Sequence, residues 1–387
     1  MVKIVSYANN FPMISPDWKG RPYFIFADDY IYKSAGIKLA HVLCHLLNES
    51  GYRAYLTPCI TSPLLNTPVL TNEVIEYYAN LGASPIAVYG ERIPGNPLNA
   101  GSVVRYLGNF MNHFNDSFEY DQDELLLSYA AGMNSSKDEL VLHIPMADTS
   151  IFFLPKEPVE RKGSLVYAGK YVDFHGGELF PINDGMYTIT RGAHSETPEQ
   201  LRELLQKSEY FYAYENTSLS LEALLCGCPV ILMPNKHFDR IIGEQEYKNL
   251  GMAWGPSSDE MQRAKATVTA AQENYKDIIE NVEPALEKFI EVSQAMPFSY
   301  PLKPITMQSS ISIMPLNQFI GIIKSALSNK SLGINQSPYL FSMLGNGSGC
   351  PLRIVTLIGI YKLVPKKFAI LIRKIYIIIK RKDHQWI

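Results

Sequence analysis

Twice along the chain, short apolar runs alternate with stretches of helical periodicity, and this rhythm leaves few folds open. In the first half the runs are YFIFA (23–27), RAYLTP (53–58), PIAVYG (85–90) and ELVLHIP (139–145). Between them, AGIKLAHVLCHLLNESG (35–51) places Gly36, Ala40, Leu43, Cys44 and Leu47 at helical spacing and stops at Gly51. TNEVIEYYANLG (71–82) and NAGSVVRYLGNF (99–110) are predicted as further helices. A second series follows LPKEPVERKG (154–163), whose prolines and charges fit a linker. Its strands are SLVYAG, MYTIT, YFYAY and PVILMP, and its helices TPEQLRELLQKS and SLSLEALLCG. Strand–helix alternation of this kind demands a parallel sheet covered on both faces. The expected fold is therefore α/β, with two Rossmann-like doubly wound halves, 1–158 and 159–295. Open α/β sheets bind ligands beyond the carboxyl ends of their strands, which puts the expected site in a cleft between the halves.

The remaining segments carry less pattern. Residues 259–295 read as helical with a break at Pro284, 296–350 is mixed, and LGNGSGCP (344–351) reads as a linker because no strand precedes it and no Gly-Lys-Ser/Thr follows. Five cysteines (44, 59, 226, 228 and 350) make no disulfide framework, which fits a reducing compartment. The beginning MVKIVSYANNFPMISPDW lacks a secretory pattern, and no run reaches the roughly 18 uncharged apolar residues of a spanning helix, so a cytoplasmic protein is expected.

Net charge is only −3, but its distribution is uneven: residues 351–387 hold nine Lys or Arg against Asp383 alone, leaving 26 basic and 37 acidic residues before them. An acidic body argues against nucleic acid as a partner. In VPKKFAILIRKIYIIIKRK, cationic pairs at 366–367, 373–374 and 380–381 recur every seven residues with aliphatics between them. Such an amphipathic basic helical tail is expected to lie in an anionic membrane surface, cations at the headgroups, giving a peripheral association with the inner face of the cell membrane.

The stretch YENTSLSLEALLCGCPVILMP (214–234) carries the chemistry. After the strand, a turn at Glu215, Asn216, Thr217 and Ser218 opens a helix whose first N–H groups would face the cleft, an arrangement suited to phosphate. Glu222 follows one helical turn beyond Ser218, where a carboxylate can accept from two adjacent ribose hydroxyls. Phosphate beside the turn and sugar hydroxyls beside the glutamate together describe a nucleotide.

TSLSLEALLCGCPVILMP resembles the donor segment of two-Rossmann (GT-B) glycosyltransferases, in particular the retaining group whose motif is Glu-x7-Glu followed by Ala, a small pair and Gly-x-Pro-Val; here six residues separate Glu215 from Glu222. VYGERIPG with NPLNAGSVVRYLGN, and MYTITRGAHSETPEQLRELLQKSEYFYAYENTS, resemble segments of bacterial surface-polysaccharide enzymes of that superfamily. The resemblance implies transfer of a sugar from a nucleotide-sugar donor to a lipid-linked or growing glycan acceptor, as in lipopolysaccharide O-antigen or capsule synthesis. It also implies retention of anomeric configuration without a metal or other cofactor. Glu222 would hold the ribose and Glu215 would contact the donor sugar.

The leaving diphosphate needs fixed cations. The resembling enzymes place Lys or Arg at the ends of the first two strands of the second half, and here Lys170, after Gly169, and Arg191 stand at those ends. In the first half, Gly36 in the small-residue turn YKSAGIK, and Glu91, Asn96 and Arg105 around the loop after PIAVY, are acceptor-side candidates; His113 is a candidate base. Asp121 and Asp123 in YDQDELLL could hold a divalent ion on a diphosphate, but acids before an apolar run more simply flank a strand or helix start. Two alternatives stay open: a nucleotide-sugar epimerase of the same fold, and a non-catalytic, membrane-tethered nucleotide-sugar-binding subunit.

Overall fold

The computed structural model describes residues 20–110, 120–134, 136–191 and 195–297. The basic tail (351–387), most of the mixed segment (296–350) and His113 lie outside these residues.

The first half runs β1 (Tyr23–Ile25), α1 (Ala35–Glu49), β2 (Ala54–Leu56), α2 (Asn72–Asn80), β3 (Ile86–Gly90), β4 (Ser102–Leu107), β5 (Leu125–Ser128) and β6 (Leu140–Val141). They form one parallel sheet of order β2-β1-β3-β4-β5-β6. Alternate residues of each strand feed opposite faces, as a pleated strand requires. Tyr23, Ile25, Ile86 and Val88 pack with Leu39, Leu43 and Leu47 of α1, while Phe24, Tyr55, Ala87 and Tyr89 pack with Tyr78 of α2. Hydroxyls start both helices: Ser34 accepts from Ile37 N–H and Thr71 from Val74 N–H.

The second half runs β7 (Ser164–Tyr167), α3 (Gly169–Asp173), β8 (Tyr187–Thr188), α4 (Pro198–Lys207), β9 (Tyr210–Ala213), α5 (Ser218–Leu225), β10 (Val230–Leu232), α6 (Glu244–Tyr247), β11 (Met252–Trp254), α7 (Ser258–Glu280) and α8 (Val282–Gln294). Its sheet is also parallel, of order β11-β10-β9-β7-β8. Thr197 and Gln200 cap α4 reciprocally, with Pro198 at its first position. The chain thus has the expected α/β architecture of two doubly wound parallel sheets.

Two local expectations need correction, and three short elements were not predicted. NAGSVVRYLGNF is not a helix: Ser102–Leu107 is β4, buried along its whole length between β3 and β5. Arg105 interrupts the apolar run and imitates a helical polar face, but its charge is neutralised inside the protein, so the segment is a fully buried strand. The break expected at Pro284 occurs at Asn281, the C-cap of α7 and N-cap of α8. Pro284 sits in the first turn of α8, where its missing N–H costs nothing. Finally, β5, β11 and α6 carry too few residues to show a period.

The expected boundary at 158/159 falls in the connection between β6 and β7, but α8 returns to the first half. Leu286, Phe289 and Ile290 pack with Tyr23 and Ile25 in the core beneath the first sheet. Ser293 Oγ lies 2.8 Å from Tyr23 Oη, and the Gln294 side chain exchanges two hydrogen bonds with the backbone of Arg21.

Candidate active site

The carboxyl ends of both sheets open onto one cleft of 680 Å³. Residues following β1 and β3 line one wall, and residues following β7, β9 and β10 line the other. Contacts join the two halves: His143 Nε2 lies 2.7 Å from Tyr247 Oη, Ala131 N–H donates to Glu246 Oε1 at 2.9 Å, and Tyr275 Oη bonds both N–H and carbonyl of Ala147. Lys33 Nζ donates to Ser195 Oγ, a further bond between the halves.

Two helices begin at this cleft, one from each half. Ser34, Ala35 and Gly36 of α1 line it, as do Thr217, Ser218 and Ser220 of α5. Each helix start carries partial positive charge from amides with no partner inside the helix. A Cβ built on Gly36 would meet nothing within 4 Å, so the glycine is not there for close helix packing; it leaves backbone bare to the cleft. On α5, Thr217 Oγ1 accepts from Leu219 N–H at 3.3 Å, and Ser220 Oγ is buried without a hydrogen-bond partner among the described residues.

Arg191, on the loop after β8, reaches the start of α5: its Nη2 donates to Ser218 Oγ at 3.1 Å and lies 3.8 Å from Glu222 Oε1. The Glu222 residue is 2% exposed and does not line the cleft, and its Oε2 has no hydrogen-bond partner among the described residues. Burial raises its carboxyl above the usual glutamate range, against the opposing pull of Arg191 and Lys38. Lys38, from α1, is itself lowered by burial, with Glu222 pulling the other way; its Nζ donates to the carbonyl of Met146 at 2.8 Å. Glu222 is therefore a buried anion shared by a cation from each half.

The other predicted donor-side residues are brought to the cleft, but several are occupied by the protein itself. Glu215 Oε2 accepts from the N–H groups of Lys170 (2.6 Å) and Tyr171 (3.1 Å), so this oxygen caps α3 and is committed there. Burial raises the Glu215 carboxyl; Lys170 and the two N–H donors oppose it. Tyr167, whose hydroxyl bonds Glu215, is pushed up to about 12 by burial first and that carboxylate second. The lack of a side chain on Gly169 makes room for this phenol, since a Cβ there would lie 2.7 Å from Tyr167 Oη. Asn216 clamps the loop opposite, donating to the Arg240 carbonyl and accepting from Ile242 N–H. Lys170, Arg191 and Ser218 remain as cleft-lining groups able to meet an anion.

On the acceptor side Gly36 and Glu91 line the cleft, whereas Asn96 and Arg105 do not. Asn96 closes its own loop, accepting from Tyr89 Oη and Ala100 N–H and donating to the Ala100 carbonyl. Arg105 is 0% exposed. Its guanidinium meets both oxygens of Glu124 at 2.8 Å, donates to the carbonyls of Ile93 and Gly95, and lies over the rings of Tyr89 and Tyr120. With four of its five N–H groups bonded and its side chain fully buried, it is a core ion pair that pins the 91–96 loop and is closed to an acceptor. Glu91 Oε2 accepts from Gly108 N–H at 3.1 Å. Asp121 and Asp123 are exposed ahead of β5 and do not line the cleft. Among the described residues there is no cluster of three metal-ligating side chains.

Sequence reasoning passed over Lys33, Lys38, Ser220, His175 and His237. Lys33 and Lys38 lie within the quoted turn YKSAGIK, and a cation at a helix start facing a phosphate was the available signal; the two histidines stand 62 positions apart and carry no signal singly.

No family model matches the chain, and no curated protein does. Among solved structures it is similar to the spinosyn forosaminyltransferase SpnP, at 10% identity over 70% of this chain and 99% of that one, with a TM-score of 0.37. It is similar also to the glycosyltransferase SnogD from Streptomyces nogalater, at 10% identity over 71% of this chain and 100% of that one (TM-score 0.39). The calicheamicin glycosyltransferase CalG4 matches at 13% identity over 71% of this chain and 98% of that one (TM-score 0.34). At these values the likenesses decide nothing about what the present chain does.

Proposed function

We propose that the chain is a glycosyltransferase whose nucleotide-sugar donor sits in the cleft with its diphosphate at the start of α5. One observation carries this: Arg191, Lys170 and two helix starts, one from each half, converge on a single 680 Å³ space at the carboxyl ends of two parallel sheets. As the bond between the sugar's anomeric carbon and the β-phosphate oxygen breaks, negative charge grows on that oxygen. Preoriented cations and amides then stabilise the charge more than they stabilise the intact donor. The Arg191 fork suits a diphosphate, and its bond to Ser218 Oγ already aims it there.

Glu222 keeps the ribose role in this proposal because its Oε2 is buried without a partner, so an incoming hydroxyl would satisfy that oxygen instead of displacing a bond. Reaching it requires Arg191 or the covering α1 segment to shift. Glu215 acts by capping α3, which carries Lys170, and Gly36 and Glu91 face the acceptor. A lipid-linked or growing surface glycan as acceptor is supported by the amphipathic basic sequence at 351–387, which suits an anionic bilayer. Anomeric retention and independence of metal belong to the proposal through the Glu215–Glu222 resemblance.

The test is a thermal-shift panel of UDP-, GDP-, dTDP- and CMP-sugars with and without chelator, followed by a transfer assay on membranes. A donor that binds the folded state raises the melting temperature with the logarithm of its saturation. The expected result is one nucleotide class that stabilises regardless of chelator and yields labelled glycan. Stabilisation lost with chelator would restore the metal reading of Asp121 and Asp123. An altered free nucleotide sugar would indicate an epimerase, and binding without turnover a non-catalytic subunit.

A further inference from the structure

The cleft wall holds a second group of titratable side chains. His175 closes the turn after α3, its N–H directed to the Lys170 carbonyl at 3.3 Å, and His237 follows β10, its N–H donating to Asn235 Oδ1 at 3.0 Å. Both line the cleft, and their rings stack with centroids 3.7 Å apart and planes 10° from parallel. His237 Nε2 is buried and has no hydrogen-bond partner among the described residues. The charged groups facing the pair are Lys170 and Glu215 on the α3 side and Lys236 beside His237.

An imidazole stacks well on an imidazolium, but two imidazolium rings at this separation repel. The stack therefore has room for one charged ring beside a neutral one, not for two. Burial and then the neighbouring His175 and Lys236 hold His237 below the ordinary histidine value. A diphosphate entering beside Lys170 reverses that balance: its charge favours the protonated ring, and the ring N–H gains a charge-assisted bond to an oxygen. Resting on the donor reading of the cleft, we infer that the stacked His175–His237 pair is part of the diphosphate site and takes up a proton as the nucleotide sugar binds.

Titration calorimetry of the full chain with an intact diphosphate sugar (UDP-glucose, or the GDP- or dTDP-sugar selected by the thermal panel) counts the proton. Measurements at about pH 7 in two buffers of different ionisation enthalpy suffice. The intact sugar is used because its diphosphate is esterified at both ends, whereas a free terminal phosphate has its own proton near pH 6. The expected result is uptake approaching one proton, with affinity falling as pH rises, by up to about tenfold per pH unit. The His175→Phe/His237→Phe variant, checked for folding by circular dichroism, is expected to bind the same sugar more weakly at low pH, with no proton uptake and no pH dependence. Wild-type binding without proton exchange overturns the inference and leaves the donor reading standing; that measurement decides even if the variant does not fold. Uptake unchanged in a folded double variant overturns it equally. If none of the sugars binds, the donor reading fails first and this inference falls with it.

Discussion

Glu222 shows how one residue can serve a site while weakening the fold. It is buried between Arg191 and Lys38, yet its carboxyl stays above the ordinary range, so desolvation outweighs both cations. An acid whose folded value is raised binds its proton more tightly when folded. It therefore favours the folded state below the ordinary glutamate value of about 4.3, and that advantage is lost as pH rises through the folded value. Glu222→Gln resembles the protonated form at every pH. Its melting temperature relative to wild type is expected to rise as pH is taken from about 4 to 7, while donor affinity at pH 7 falls because Arg191 loses its anchor. A relative melting temperature that drops with pH would show that the two cations win. That Lys170 and Arg191 line the cleft was legible in the sequence, because a position just past a strand end announces it, whereas Glu222, midway along α5, is buried behind the cleft wall. Arg105 and Asn96 were not, because their role depends on Glu124 and Tyr89, which only the fold brings within reach.

At the scale of elements, the apolar strands and the helices with polar caps were readable, and the failure at β4 has a physical cause. A fully buried strand such as β4 has no polar face to give it a period of two, so Arg105 in its middle suggested a helix. The start of α1 offers a sharper test. Gly36 lies in a helix with a φ that any residue adopts and with open space where a side chain would go. Gly36→Ala is expected to stabilise the protein by about 0.5–1 kcal/mol through helix propensity. The new methyl projects into space the ligand would use, so donor or acceptor affinity is expected to fall. Calorimetric melting and binding titration on the same sample separate the effects, and unchanged affinity would show that neither ligand approaches this turn. Gly169→Ala would not be informative in the same way, since its methyl strikes the Tyr167 phenol and disturbs the Glu215 cap.

The whole molecule is tied together by the return of α8 to the first half, a contact that no sequence signal announces. The helical reading of 259–295 did not tell which sheet residues 282–294 pack against. Phe289 is 0% exposed, with its ring centroid 5.9 Å from that of Tyr23 on β1, and Ser293 and Gln294 bond the same edge. The first sheet therefore completes its core with residues that follow the entire second half, and the cleft between them is bounded by halves that cannot be separated by cutting the chain near 160. Phe289→Ala is expected to cost about 3–5 kcal/mol, as for other aromatic truncations in a packed core. The loss is expected to appear first in β1, β2 and β3, since their inner face loses its cover. Amide hydrogen exchange reads this strand by strand: protection should drop across the first sheet while β9 and β10, packed against α4, α5 and α7, keep theirs. An equal drop in both halves would mean that His143–Tyr247 and Tyr275–Ala147 lock them into one cooperative unit, and no drop in either would place α8 outside the core that it fills here.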